Sequence, residues 1–388
     1  MEKKKGLFVI APFFRPSLGG AETYINELCE FFRRNNFFVY VFSYQPLYSF
    51  SSAIGNKGEK REKLENMEIR RLGWIGNDIF HKLQNYPLVV FLYLTPYLFL
   101  HCFFWMLKNH KKIDVIDAEG LNAAFIAKIL KFIFRKKVTV SILALYNFAP
   151  GSLFSKIVCW TLSSADKIFV EKGKSKEELE RIGLPPDKLV IFNQWVDQNR
   201  FKPADKEEMK NQLGWKDKFV VLFVGRAIPE KGANILLEAS KNLSDDVIFA
   251  FISSIGPAME DIIKESKTRE NIIFVGEVNP LELHKYYQAC DIFCLPSKYE
   301  EGVARVVSEA ISCGAPMVAS NMGSTPYVLE EGVARLIYPN AENFAKEIND
   351  LYTNQGNLHQ MAENCRSFAI ENFGEKNIRL IYETVDSI

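Results

Sequence analysis

Two glutamates, Glu301 and Glu309, are separated by seven residues in the stretch 296-PSKYEEGVARVVSEAISCGAPMVAS-320. The first stands in a loop after an apolar strand and the second inside the helix that follows. Gly302 permits a tight turn at the helix start, where free N–H groups attract an anion such as a diphosphate. One carboxylate can then grip the hydroxyls of a sugar ring while the other, two turns along, grips a ribose. Spacing alone does not separate this from an acidic loop ahead of an ordinary helix.

A second group of residues has matching chemistry. In 221-VLFVGRAIPEKGANILLEA-239 a buried strand ends at Gly225 and is followed by Arg226, a short loop, Lys231, Gly232 and a helix. In an open parallel sheet, ligands bind beyond the carboxyl ends of the strands. Two flexible cations and a helix start at that position can neutralise a diphosphate. A lone Arg or Lys in a loop is usually just solvated, but both of these flank glycines at one strand-to-helix turn. Near the beginning, 18-LGGAE-22 repeats the arrangement. There Gly19 and Gly20 allow a ligand to approach the backbone, and Glu22 opens the next helix. A glycine pair by itself marks little more than a turn. No D-x-D pair is present to clamp a diphosphate-bound metal, and no G-x-G-x-x-G follows the first strand as a dinucleotide site would require.

The elements that must position these residues alternate. A chain of 388 residues, 48% hydrophobic and 24% charged, is a folded protein with room for two domains. Its 48 Lys plus Arg nearly balance 47 Asp plus Glu, which gives no reason to expect nucleic-acid binding. The seven cysteines form no C-x-x-C pair, so neither a zinc site nor a disulfide framework is expected, and a reducing compartment fits. Strands are predicted at 6–13, 37–42, 113–118, 138–143 and 167–171. A second series follows at 219–224, 247–253, 271–276, 291–297 and 316–320, with helices between. This is the pattern of two doubly wound parallel sheets. The polar segment 193–210 reads as a linker, and 371–388 as a final amphipathic helix. One stretch departs from the alternation: 87-PLVVFLYLTPYLFLHCFFWML-107 holds no charge. It is long enough to span a bilayer, but it lies between strands of one sheet, which must remain on one side. It is predicted to form two short helices broken at Thr95-Pro96. They either pack against the sheet or dip into a membrane surface, with Lys108, His110, Lys111 and Lys112 at the edge.

Taken together, the E-x7-E element, the G-R-x-x-x-E-K-G segment at 225–232, the LGGAE loop and 193-NQWVDQNRF-201 resemble the retaining GT4 glycosyltransferases. The resemblance covers nearly the whole chain. It implies a GT-B fold: two Rossmann-like domains facing a cleft, at 1–200 and 201–370, with a helix at 371–388 crossing back to the first. It implies a nucleotide-sugar donor with no metal or other cofactor. Arg226 and Lys231 would bind the donor phosphates and Glu309 the ribose. Glu301, with the backbone at Val303 and Ala304, would hold the sugar or its phosphate, and Gly20 would face the diphosphate. Glu301, Arg226 and Lys231 would carry the catalysis. The acceptor would lie near Gly19 and Glu22. If the apolar segment touches a bilayer, that acceptor is lipid-linked or an oligosaccharide of bacterial surface-glycan assembly, and the protein sits at the cytoplasmic face of the inner membrane.

Two departures from the family pattern stand out. No histidine occupies the N-domain positions near the donor sugar, where 113-IDVIDAEGL-121 presents Asp117 and Glu119 instead. These serve either as cleft carboxylates or as strand-end caps. Surface or packing roles fall to His81, His101, His110, His284 and His359. Tyr327 stands where glutamate is common. A catalytically degenerate relative, or a membrane-surface scaffold, is the alternative reading.

Overall fold

The computed structural model describes residues 4–17, 19–46, 58–76, 79–83 and 86–388. The chain forms two compact units. The first comprises Met1–Glu171, Ser175–Phe192 and Ile378–Ile388, and the second Lys172–Lys174 and Asn193–Asn377.

The sheet of the first unit contains β1 (Lys5–Ile10), β2 (Phe37–Tyr44), β3 (Arg61–Leu64), β4 (Met67–Leu72), β5 (Val115–Glu119), β6 (Lys137–Ile142), β7 (Lys167–Glu171) and β8 (Leu189–Phe192), in the order β3-β4-β2-β1-β5-β6-β7-β8. All neighbours are parallel except the β3–β4 edge hairpin. The second sheet contains β9 (Phe219–Val224), β10 (Val247–Ile252), β11 (Ile272–Gly276), β12 (Ile292–Leu295), β13 (Met317–Ser320) and β14 (Ala334–Ile337). It is fully parallel, in the order β11-β10-β9-β12-β13-β14. Runs such as FVVLFV bury both faces under helices, which is why they carry almost no polar residue. The two doubly wound α/β units expected from the sequence are present. The hairpin β3–β4 and the short strands β8 and β14 were not anticipated.

The segment 87–107 is a single helix, Pro87–Asn109, not two. Pro96 lies inside it and withdraws one backbone donor. Neighbouring elements brace the turn: the Tyr44 hydroxyl donates to Leu94 O at 2.6 Å, and Asn122 Nδ2 to Thr95 Oγ1 at 3.0 Å. One stripe of the helix (Leu94, Leu98, Cys102, Trp105, Met106) is locked into the core of the unit, where Trp105 stacks on Phe8 at 5.0 Å. The opposite stripe leaves Leu88, Leu92, Leu100, Phe104 and Leu107 exposed. A helix held this way along its length cannot cross a bilayer without dismantling its own core.

The chain passes between units at 192/193 and 377/378, earlier and later than the expected 200/201 and 370/371. Val196 and Phe201 of the supposed linker are buried with Phe373 in the core of the second unit, and Gln198 Nε2 donates to Ser312 Oγ at 3.1 Å. The last helix, Lys376–Ser387, belongs from Ile378 onward to the first unit. There Tyr382 packs against Phe31, Phe32 and Phe37 at 5.4–5.7 Å.

Candidate functional site

Each sheet reverses its winding once, between β1 and β5 in the first unit and between β9 and β12 in the second. Such reversals open a crevice beyond the strand ends, and the residues singled out from the sequence lie at both.

In the second unit the loop after β9 carries Arg226 and Lys231, and the loop after β12 carries Glu301. The structure brings Lys231 and Glu301 together. Lys231 Nζ donates to Glu301 Oε2 at 2.5 Å, the Tyr299 hydroxyl to the same oxygen at 3.2 Å, and Ser297 Oγ to Oε1 at 2.5 Å. The two charged side chains are only 11% and 12% exposed. Burial, and then the Glu301 charge, push the Tyr299 phenol up from its ordinary value, while Arg226 beside it pulls the other way. Arg226 itself is exposed. Two glycines set this geometry. Gly232 has φ +72°, and a Cβ there would lie 2.0 Å from Pro296 O. At Gly323, φ +57°, a Cβ would lie 2.3 Å from Glu301 O, and Ser324 N donates to that oxygen at 2.9 Å. Both loops are thus pressed together backbone to backbone, as only glycine permits.

Val303 and Ala304 precede the helix Arg305–Ser312, with Ala304 at its N-cap and no side chain capping it. Glu309 lies within that helix and is buried. Arg305 Nε donates to its Oε1 at 3.0 Å and the Tyr287 hydroxyl to its Oε2 at 3.0 Å. Beside Glu309, Tyr287 is fully buried, and burial first and the carboxylate second hold its phenol well above the usual range. Sequence reasoning missed Arg305, Tyr287, Ser297 and Tyr299. Arg305 was findable, since it stands one helical turn from Glu309. Tyr287 lies on a different helix and left no local signal. Tyr327 is partly exposed, in the short helix Thr325–Val328 that follows Gly323.

In the first unit, the helix Gly20–Arg34 begins directly after Gly19, and the Glu22 carboxylate folds back over Gly19. A cavity of about 260 Å³ opens beside it, lined by Phe13, Glu22, Leu94, Glu119, Ser141 and Tyr146 among others. Glu119 occupies the N-cap position of the helix Gly120–Phe134, yet its side chain makes no cap hydrogen bond. It lies instead beside Asp117 on the same face of β5. Asp117 accepts from Thr139 Oγ1 at 2.6 Å and Glu119 from Ser141 Oγ at 3.2 Å, which leaves Asp117 Oδ2 and Glu119 Oε2 without a donor among the described residues. Burial pushes Asp117 up to about 6; burial and then the Asp117 charge push Glu119 well above its ordinary value. A raised carboxyl adds stability below its unfolded pKa and loses it as pH rises through the folded one. Asp117 therefore weakens the fold between about pH 4 and pH 6, by up to roughly 3 kcal/mol for a two-unit shift, and Glu119 adds to the loss in the same direction. Glu119→Gln, which removes one of the two titrating carboxyls, is expected to flatten that loss. Urea midpoints across this range measure it, and wild-type and variant curves that run parallel would show that the carboxyls do not titrate there.

Among the described residues no group of three His, Cys, Asp or Glu side chains could hold a metal ion. His101 and His359 are exposed, His110 stacks on Phe134 at 5.7 Å, and His284 is partly buried; the side chain of His81 lies outside the described residues. All seven cysteines are free thiols.

Comparison with known proteins bears on the family and the fold. Residues 18–200 match the family described as Glycosyltransferase Family 4, and residues 205–368 match Glycosyl transferases group 1. Spore coat protein SA of Bacillus subtilis is 33% identical over 196 residues, 46% of this chain and 52% of that protein, so the chain spans about half the length of this relative. An uncharacterized glycosyltransferase, MJ1607 of Methanocaldococcus jannaschii, is 25% identical over 69% of this chain and 73% of its own length. Among solved structures, Anabaena Alr3699/HepE in complex with UDP has a TM-score of 0.75 at 20% identity and covers 99% of this chain and 100% of its own. Sucrose-phosphate synthase from Thermosynechococcus elongatus reaches 0.80 at 18% identity, covering 99% and 98%. At such identities these two speak for the fold alone, and the fold they share is GT-B. With both halves matched in their expected order and the E-x7-E and Arg–Lys elements at the strand-order reversal, the chain belongs to the family 4, group 1 glycosyltransferases.

Proposed function

We propose that the protein transfers a glycosyl group from a nucleoside-diphosphate sugar to a lipid-linked or oligosaccharide acceptor of cell-surface glycan synthesis, with retention of configuration and without a metal. The observation that carries the reading is the buried Lys231–Glu301 pair, held by Ser297 and Tyr299 beside Arg226 at the β9/β12 reversal. Lys231 and Arg226 supply positive charge where the leaving diphosphate gathers negative charge, and Glu301 offers a fixed carboxylate to the hydroxyls of the transferred ring. Glu309, oriented by Arg305 and Tyr287, keeps lone pairs for a ribose. In the retaining step the bond from C1 to the phosphate oxygen breaks. The bond from C1 to the acceptor oxygen forms on the same face, and the departing phosphate oxygen takes the acceptor's proton. The Anabaena neighbour was also crystallised with UDP-glucose, which makes a uridine nucleotide the first donor to test.

The acceptor is assigned to the first unit, near Gly19, Gly20, Glu22, Asp117 and Glu119, and the protein to the cytoplasmic face of a membrane. The exposed stripe of the helix Pro87–Asn109 supports the latter. So does its neighbour layer, where Phe132 is 89% and Leu153 75% exposed. A thermal-shift screen of nucleotide sugars, followed by mass spectrometry of products, tests the reading; stabilisation by nucleotide without any transferred or released sugar would favour a degenerate relative. Because Arg226 and Lys231 supply the charge a metal would otherwise bring, transfer is expected to persist in excess EDTA. Complete loss on chelation, restored by Mg²⁺ or Mn²⁺, would overturn the metal-free mechanism.

A further inference from the structure

The exposed stripe of the helix Pro87–Asn109 does not end at a bare edge. Beside it lies a groove of about 850 Å³, walled on one side by that helix and on the other by the β3–β4 hairpin. The hairpin contributes Lys60, Arg61, Arg70 and Arg71, and the helix His101 and Lys108. No carboxylate of the described residues lines it. Two of the five permanent cations have partners outside the lining: Arg70 pairs with Glu68 at 2.7 Å, and Arg71 with Glu62 at 2.7 Å. The other three, Lys60, Arg61 and Lys108, have no carboxylate partner among the described residues.

The floor is aromatic. Arg70 sits 5.7 Å from the ring centroids of both Phe42 and Trp105, so its guanidinium is fixed over a flat apolar surface instead of sweeping through solvent. The rim on the helix side is apolar and open: Leu100 and Phe104 line the groove and are 48% and 60% exposed. Three exposed cations without a carboxylate partner attract an anion. A groove whose rim is exposed leucine and phenylalanine suits an anion attached to hydrocarbon.

We propose that this groove seats the phosphate headgroup of an anionic phospholipid in a bilayer, with Leu100 and Phe104 entering the acyl layer beside it. The headgroup phosphate meets Arg61, Lys60 and Lys108. The helix then lies in the plane of the interface, its inner stripe still in the core, as a monotopic contact requires. This deepens the membrane contact proposed above and rests on it, but not on the identity of donor or acceptor.

The test uses the full chain and vesicles of phosphatidylcholine alone or of equal parts phosphatidylcholine and phosphatidylglycerol. The wild type is expected to co-sediment with the anionic vesicles. The double variant Arg61→Glu/Lys108→Glu is expected to bind them at least about tenfold more weakly, since each basic residue near an anionic surface contributes several-fold. Phe104→Ser is expected to weaken binding too, and Lys216→Glu/Lys267→Glu, the same charge change on the exposed surface of the second unit, to have little effect. A thermal unfolding midpoint and far-UV circular dichroism spectrum unchanged in every variant show that the fold is intact. Equal loss in the two charge variants, or wild-type binding by Arg61→Glu/Lys108→Glu, would overturn the groove while leaving the membrane contact standing. Binding to neither vesicle would remove both. Displacement from the vesicles by soluble glycerol phosphate at low concentration would assign the groove to a free phosphate ester instead of a lipid.

Discussion

Lys231→Ala is expected to lower turnover of a nucleotide sugar by about 100-fold or more, the scale seen when a preorganised electrostatic donor is removed. It should also weaken nucleoside-diphosphate binding by roughly 1–3 kcal/mol, the worth of one charge-assisted contact. Two effects combine. The leaving group loses a cation, and Glu301 loses the partner that holds Oε2 at 2.5 Å, keeping only the hydroxyls of Ser297 and Tyr299. Glu301→Gln separates them. It spares Lys231 for the phosphates, so nucleotide affinity should hold while kcat falls. Because the two side chains touch, the double variant should cost much less than the sum of the single ones. Titration calorimetry with UDP and steady-state kinetics on the three variants decide the matter. Unchanged affinity in Lys231→Ala would reduce Lys231 to a structural partner of Glu301, and full activity in Glu301→Gln would remove the proposed catalytic centre.

The second large effect concerns backbone. Gly232→Ala is expected to destabilise the second unit by at least about 3 kcal/mol, well beyond what a left-handed alanine costs by conformation alone. The added Cβ would have to sit 2.0 Å from Pro296 O, an atom at the end of β12 that has no freedom to retreat. Gly214 provides the control: its φ of +74° nearly matches the +72° of Gly232, and nothing lies within 4 Å of its Cβ position. Gly214→Ala should therefore cost only about 1 kcal/mol. Calorimetric transitions of the two variants compare them directly. Similar losses in both would show that the β9 and β12 loops can separate, and that Gly232 serves only its own turn.

Much of this architecture was legible in the chain, for physical reasons. Strands buried on both faces must be long and apolar, so FVVLFV and VIFAFI announce themselves. The β3 strand REKL sits at a sheet edge with three of its four residues exposed, and β14 is four residues long; neither needs a pattern that stands out. Pro96 suggested a break because a proline's cost is local, whereas the bonds that brace the neighbouring turn come from Tyr44 and Asn122, distant in sequence. At the site, Arg226, Lys231, Glu301 and Glu309 could be picked out because spacing along two segments marks them. That Lys231 meets Glu301, and that Tyr287 meets Glu309, depends on strand order, which spacing does not encode. Asp117 and Glu119 were visible as two carboxylates on one strand, but only burial reveals that they constrain each other.

The return of the helix Lys376–Ser387 to the first unit has a consequence for how the protein is made. Tyr382 fills a niche among Phe31, Phe32 and Phe37, and Asp386 pairs with Lys5 at 2.8 Å. On the ribosome, Phe31 and Phe37 emerge early and the helix that covers them emerges only after the whole of the second unit has been synthesised. The first unit is therefore obliged to wait, with an aromatic surface uncovered, until the later-born unit has left the exit tunnel. Met1–Phe192 can therefore be completed only after Asn193–Asn377 has been made, and a nascent chain that stops short of this helix leaves those aromatics for a chaperone to shield.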